Sequence, residues 1–282
     1  MSKKTDSLGD RMKGYENISR NYLTRRVPVI IRIDGKAFHT FTKGMKKPFD
    51  RLLMTAMQDT MQFLCKNIQG CVFGYTQSDE ITLVLTDYEK ITTDAWFGYN
   101  IQKMVSVSAS MATLAFNRFF KEKMREWWSG ACAGLERGTA EYDAVDKQLD
   151  RYATAVNKGA MFDSRVFTVP VDEVCNCLIW RQQDATRNSI EAVGQANFSH
   201  KQLHCKTCND IQEMLWQEKQ INWNDFPVDC KRGSACYCVE EETPMPNPKK
   251  PGEEILVKRK RWVVDKNIPV FTQDRAFVER WL

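Results

Sequence analysis

Val27-Pro-Val-Ile-Ile-Arg-Ile-Asp34-Gly35 is a short, β-branched, almost continuously apolar run that stops at an Asp-Gly turn pair. Such a run predicts a buried central strand rather than a half-exposed one. Downstream, Pro48-Phe-Asp50 opens a helical stretch to about residue 67, with Leu52, Leu53, Met57 and Met61 at helical spacing. Residues 71–75 and 81–85 read as two strands around Thr76-Gln-Ser-Asp-Glu80, a hairpin with an acidic tip. A long helix over about 94–124 contains Ser106-Val-Ser-Ala-Ser-Met-Ala112, whose small side chains predict close packing on a sheet. Strand, helix, hairpin, helix and a further strand at 166–169 make an α+β pattern with a mostly antiparallel sheet.

Around this core, residues 7–22 are helix-compatible and residues 126–158 read as a charged, loop-like insertion. Pro170 begins a helical region to about 196, followed by a helix near 209–218 and strands near 231–239 and 254–264. Pro244-Met-Pro-Asn-Pro-Lys-Lys-Pro-Gly252 between those strands reads as a hairpin loop or surface tongue. The expected division is a catalytic domain over 1–170 and a helical and β-hairpin region over 171–282 packed on it.

The chain has 282 residues, 43% of them hydrophobic, with 15 Phe and 8 Trp, which excludes global disorder. No apolar run approaches the roughly 20 residues that span a bilayer. The polar opening Met-Ser-Lys-Lys-Thr-Asp-Ser lacks a signal-peptide core, so a soluble, cytoplasmic protein is expected. Ten scattered cysteines then read as free thiols. A net charge of +5 tolerates a polyanionic partner without demanding one.

Asp34 follows one strand and Asp79-Glu80 lie between two others, so pairing of these strands would bring the carboxylates to one edge of the sheet. Hard divalent cations such as magnesium take oxygen ligands, and two ions can stabilise attacking and leaving oxygens in phosphoryl transfer. Gly35, lacking a side chain, would let backbone approach a metal or phosphate. Lys36, His39, Lys47 and Arg51 are phosphate-binding candidates, although charged faces also simply meet solvent. On spacing alone, Asp-Gly and Ser-Asp-Glu are better explained as ordinary turns.

Arg32-Ile-Asp-Gly-Lys-Ala-Phe-His-Thr-Phe41, Lys47-Pro-Phe-Asp50 and Gly74-Tyr-Thr-Gln-Ser-Asp-Glu80, in this order, resemble the tRNA(His) guanylyltransferase superfamily. Phe162-Asp-Ser-Arg-Val-Phe167, Trp180-Arg-Gln-Gln-Asp184, Ile221-Asn-Trp-Asn-Asp225 and Lys231-Arg-Gly-Ser234 extend the resemblance towards the end of the chain. It implies a palm-like polymerase/cyclase domain, with a ferredoxin-like antiparallel sheet flanked by helices. It also implies 3′–5′ nucleotide addition at the 5′ end of tRNA, after activation of that end by ATP or as a triphosphate. Carried over by motif, Asp34, the Gly35 carbonyl and Asp79 would hold two magnesium ions, with Glu80 beside them as a catalytic or supporting acid. Asp34, Gly35, Lys36, Ala37, Phe38 and His39, with Lys47, Asp50, Ser78 and Asp79, would contact nucleotide, GTP or another triphosphate. Arg181, Asn188, Lys231 and Arg232 are the candidates for contact with the tRNA acceptor stem. A homotetramer is implied by the resemblance alone.

One departure bears on the activity. Where eukaryotic members carry His-Ile-Asn-Asn-Leu-Tyr-Asn, this chain reads Ala185-Thr-Arg-Asn-Ser-Ile-Glu191, keeping Asn188 but lacking the His and the Tyr-Asn. This resembles the guanylyltransferase-like proteins of bacteria, archaea and phages and implies template-dependent repair of tRNA 5′ ends. The alternatives are non-templated guanylate addition to histidine tRNA and a non-catalytic RNA-end-binding protein. A nucleotide cyclase would need a different hairpin signature.

Three other features invite readings. His200, His204, Cys205 and Cys208 have zinc-like ligand types, weighed against a polar surface loop. Lys258-Arg-Lys-Arg-Trp262 reads either as a phosphate-binding stripe or as a charged hairpin edge. Trp127-Trp128 could stack on RNA or be packed aromatics.

Overall fold

A computed structural model describes residues 7–246 and 254–282. In chain order it contains α1 (Ser7–Ile18), β1 (Val29–Gly35), α2 (Phe38–Phe41), α3 (Arg51–Asn67), β2 (Cys71–Gln77), β3 (Glu80–Leu85), α4 (Ile101–Ala131) and α5 (Ala140–Lys158). β4 (Phe162–Thr168), α6 (Val171–Asn197), α7 (His200–Leu203), α8 (Cys208–Lys219), α9 (Val228–Arg232), β5 (Ser234–Pro246), β6 (Glu254–Asp265) and α10 (Ala276–Glu279) follow.

The six strands form one sheet of order β4-β1-β3-β2-β5-β6, antiparallel throughout. β1-α3-β2-β3-α4-β4, with strand order 4-1-3-2, is the ferredoxin-like arrangement. β1 lies between β3 and β4, so its backbone groups are paired on both sides. Val29, Ile31 and Ile33 pack with α3 and α4 on one face, while Ile30 packs with α6 residues Val174, Cys175 and Leu178 on the other. All four strand residues are fully buried, which is why the run is apolar without alternation. Each such side chain contributes about 1.5–3 kcal/mol of hydrophobic stabilisation.

The small-residue tract in α4 meets the sheet directly, where the Ser108 hydroxyl donates to Ser164 Oγ of β4 at 2.7 Å. Residues 126–158 are not loop-like. α4 runs to Ala131, and α5 starts at Thr139, whose Oγ1 accepts from the Tyr142 amide. Tyr142, Val145, Leu149, Tyr152 and Val156 recur at helical spacing, a signal masked by the many charges between them. α5 presses Tyr152 into the core against Phe120 and Trp127, so Trp127 is a packed aromatic and not an open stacking surface. Lys231 falls in α9, and the strand expected to contain it starts only at Ser234. Most of the tongue between the last two strands, 247–252, lies outside the described residues, and Pro244–Pro246 continue β5.

Candidate active site

Strand alternation sets the side chains of the site. With Ile30 facing α6, Arg32 and Asp34 lie on that same face. The register places Asp34 opposite Glu80 on one side and Asp163 on the other, with Gln77 beyond Glu80. The next row is Arg165, Arg32, Thr82 and Tyr75. Ser78 and Asp79 form a two-residue hairpin loop, with Ser78 in the left-handed region at φ 50°. The Gly35 amide donates to the Asp79 carbonyl at 3.1 Å, tying the end of β1 to this turn. Ala37, at φ 53°, is a second non-glycine left-handed residue, and each costs roughly 1–2 kcal/mol. Gly35 has a steric reason as well as the expected one: a Cβ there would lie 2.2 Å from the Phe38 ring.

The two aspartates are lightly engaged by the protein. Asp34 meets only Arg165, at 3.9 Å, among the described residues, and Asp79 accepts a 3.0 Å hydrogen bond from the Ser78 hydroxyl. Burial pushes the Asp79 carboxyl above the usual range; the Ser78 bond opposes this and repulsion from Asp34 adds to it. Two close, under-satisfied carboxylates are the donor chemistry a hard divalent cation takes.

That shift predicts a pH signature. A carboxyl raised above its unfolded value of about 3.9 stabilises the fold when protonated and loses that contribution as pH rises through the folded value. Metal-free Asp79→Asn protein should therefore gain stability relative to the parent as pH rises from about 4 towards neutrality. A difference that stays flat in chemical denaturation across this range would overturn the burial-and-repulsion account.

Beside the turn lies a cleft of about 150 Å³ between α3, α6 and α9. Pro48, Leu53, Met54 and Ala185 make its walls largely apolar, and Ser78, Asn188 and Ser189 supply polar groups. Apolar walls with a few convergent polar atoms are the composition of a small-molecule site.

Residues 9–170 match the sequence model of the tRNAHis guanylyltransferases. The chain belongs to this family. It is 31% identical to the tRNA(His) guanylyltransferase of Schizosaccharomyces pombe over 79% of this chain and 77% of that protein. A bacterial tRNA(His) guanylyltransferase-like protein, solved in complex with ATP, superposes with TM-score 0.75 at 44% identity, covering 98% of both chains. Saccharomyces cerevisiae tRNA(His) guanylyltransferase shares the fold, with TM-score 0.60 at 20% identity over 93% of this chain and 99% of that one. The chain is thus a nucleotidyltransferase with the palm-like α+β fold expected from its motifs. No helix among the described residues is long and apolar enough to cross a membrane.

Within this tRNA(His) guanylyltransferase fold, the carried-over residues separate into two groups. Asp34, Gly35, Ser78 and Asp79 meet at the turn, Lys36, His39 and Lys47 are exposed nearby, and Asn188 reaches the cleft. The others are engaged by the protein's own groups. Glu80, expected as a catalytic acid, is buried under the turn and accepts from Arg181 Nε at 2.6 Å, with Arg32 Nε at 3.9 Å. Burial pushes its carboxyl above the usual range despite the pull of these two guanidiniums. Arg181, expected at the tRNA, is held in that pair and in a second with Asp184, and only 8% of its side chain is exposed. Lys231 is buried, its ammonium donating to the Asn224 carbonyl at 2.5 Å and lying over Trp223, while half-buried Arg232 offers its carbonyl to Tyr75. Asp50, expected at the nucleotide, accepts from the Leu52, Leu53 and Lys46 amides and the Tyr152 hydroxyl, so its four acceptor positions are used. The Phe38 ring is buried among Phe41, Phe116 and Phe162, leaving only its backbone for a ligand.

The other tempting features resolve as well. No group of three His, Cys, Asp or Glu residues among those described is placed to hold a metal, and His200 and His204 simply stack, with centroids 6.3 Å apart. In the β5–β6 ladder, Lys258 faces Glu242, Lys260 faces Glu240 and Arg259 faces Glu241, so the basic stripe is largely neutralised by its own partner strand. Asp163 and Arg165 were missed as site residues. Their two-residue spacing on β4 was the available signal, obscured because only 166–169 read as a strand.

Proposed function

We propose that the protein adds nucleotides in the 3′–5′ direction to the 5′ end of tRNA, copying the opposing acceptor strand and so repairing truncated ends. The observation that carries nucleotidyl transfer is the Asp34–Asp79 pair, two carboxylates brought together by the Gly35–Asp79 backbone bond, with Arg165 at 3.9 Å from Asp34 as their one protein cation among the described residues. In this reading Asp34, Asp79 and the Gly35 carbonyl hold magnesium, which when bound neutralises charge on the transferring phosphoryl group. Lys36 and Lys47, both exposed, attract the triphosphate, and the cleft at Ser78 and Asn188 receives the base. ATP adenylylates a 5′ monophosphate with release of pyrophosphate, or the end carries its own triphosphate; the 3′ hydroxyl of the incoming nucleotide then attacks the α-phosphorus of that end, and AMP or pyrophosphate leaves. Bacterial guanylyltransferase-like proteins at 44% and 41% identity, solved with ATP and with GTP, support triphosphate substrates.

Templating is supported by Ala185-Thr-Arg-Asn-Ser-Ile-Glu191, which lacks the His and Tyr-Asn associated with fixed guanylate addition. The reading places the chemistry in residues 1–170, with 171–282 packed on that unit. A tetramer in the cytoplasm belongs to the same proposal. With magnesium, ATP and all four nucleoside triphosphates, a tRNA lacking its first 5′ nucleotide should be extended by the complement of the opposing base. Changing that base should change the nucleotide added. Guanylate incorporation whatever the opposing base would instead assign histidine-tRNA maturation, and no extension of any truncated tRNA would sink the enzymatic reading.

A further inference from the structure

α6 covers the middle of the sheet and packs near Phe167 of β4, but it does not cover the end of β4 beside Asp34. Beside Asp34 it leaves Asp163 and Arg165 exposed. On the flank of α6 that meets β1, Trp180 is 51% exposed. Its ring faces two guanidiniums: Arg32 Cζ at 5.4 Å, rising from β1, and Arg181 Cζ at 4.4 Å. Arg32 Nε is buried without a hydrogen-bond partner, so the stack on Trp180 is a main contact of that side chain. The indole is thereby held from the protein side while half of it stays open to solvent.

This surface and the cleft stand apart along α6: the cleft lies at Ser78 and Asn188, whereas Trp180, eight residues earlier on α6, stands over Arg32 of β1, the register neighbour of Arg165 on β4. A group-transfer site needs two substrates to approach the reacting centre from different directions. An immobilised, half-open indole over Arg32, whose register neighbour on β4 is the exposed Arg165, matches the aromatic-plus-cation chemistry that receives a nucleic-acid end. We propose that Trp180 is a positioning residue on which the terminal base of the RNA 5′ end stacks, with Arg165 beside it for the phosphate, while the incoming nucleotide occupies the cleft. This rests on the nucleotide-addition reading above.

The probe is an acceptor-stem minihelix lacking its first 5′ nucleotide, used with the full-length protein. Trp180→Ala should raise the KM for the minihelix about 5- to 150-fold, the range of one base–aromatic stack, and leave the KM for the incoming nucleotide unmoved. Trp180→Phe, which keeps a ring, should recover most of that loss. Equilibrium binding of the minihelix without nucleotide should weaken by a similar factor, a readout that needs no catalysis. Unchanged minihelix binding in Trp180→Ala would overturn the inference. So would a Trp180→Phe protein as defective as Trp180→Ala with both KM values raised together, since that marks a residue that merely holds α6. Parental protein that binds the minihelix in a Trp180-dependent way but never extends it would count against the nucleotide-addition reading and leave the stacking surface standing.

Discussion

Asp34→Asn and Asp79→Asn will each lower nucleotide addition by about 10³-fold, the scale of losing one electrostatic contact to transition-state charge, without loss of the fold. Both substitutions keep the side-chain shape. Asp34 gives up only its 3.9 Å approach to Arg165, and Asp79 only the Ser78 hydrogen bond and its repulsion with Asp34. Little native stability therefore depends on either charge. Magnesium should raise the melting midpoint of the parent protein and fail to raise that of either variant, because ligand binding stabilises only a state that can bind. Activity within tenfold of the parent in either variant would refute the assignment of the pair.

Arg181→Met should behave in the opposite way, with a large loss of stability. It strands the Glu80 carboxylate beneath the turn after removing a 2.6 Å partner. Breaking one side of a buried ion pair costs about 3–5 kcal/mol, because the remaining charge is buried and uncompensated. Arg32, 3.9 Å from Glu80, can take over part of the role, which places the expected loss near the lower end of that range. Glu80→Gln combined with Arg181→Met should cost less than the two single changes added together, since the pair is removed as a unit. Strict additivity in urea titrations would show that Glu80 and Arg181 act separately.

These contrasting outcomes mirror what a linear reading can reach. β1, β2, β3, α3 and α6 were legible because apolar spacing and turn residues report burial directly, as in the run ending at Asp34-Gly35. α5 was not, because its apolar residues are outnumbered by charges that meet solvent. Within the candidate site, motif order singled out Asp34, Gly35, Ser78 and Asp79, which the fold brings to one turn. It did not distinguish acids left open at that turn from acids that hold the frame. Glu80 shares the hairpin motif with Asp79, and Asp50 ends the neighbouring Lys47-Pro-Phe-Asp50 motif, yet Asp50 caps α3 and Glu80 anchors α6 through Arg181. That difference is set by partners far along the chain, Tyr152 and Arg181, which no local spacing encodes. Likewise, Lys231 looks like a phosphate ligand until α9 turns it inward.

The β5–β6 ladder carries a last consequence. Only Ser234–Tyr237 of β5 pair with β2, and outward of the Glu240–Lys260 pair the two strands hydrogen-bond to nothing else among the described residues. A two-stranded ribbon is marginally stable alone, so this outer ladder can open without the sheet. Its amides would exchange with solvent long before those of β1, and a protease would find it first. The molecule thus keeps a ribbon that can open at the far edge of the sheet from β4. Lengthening or trimming that arm would leave the spacing of Asp34 and Asp79 untouched.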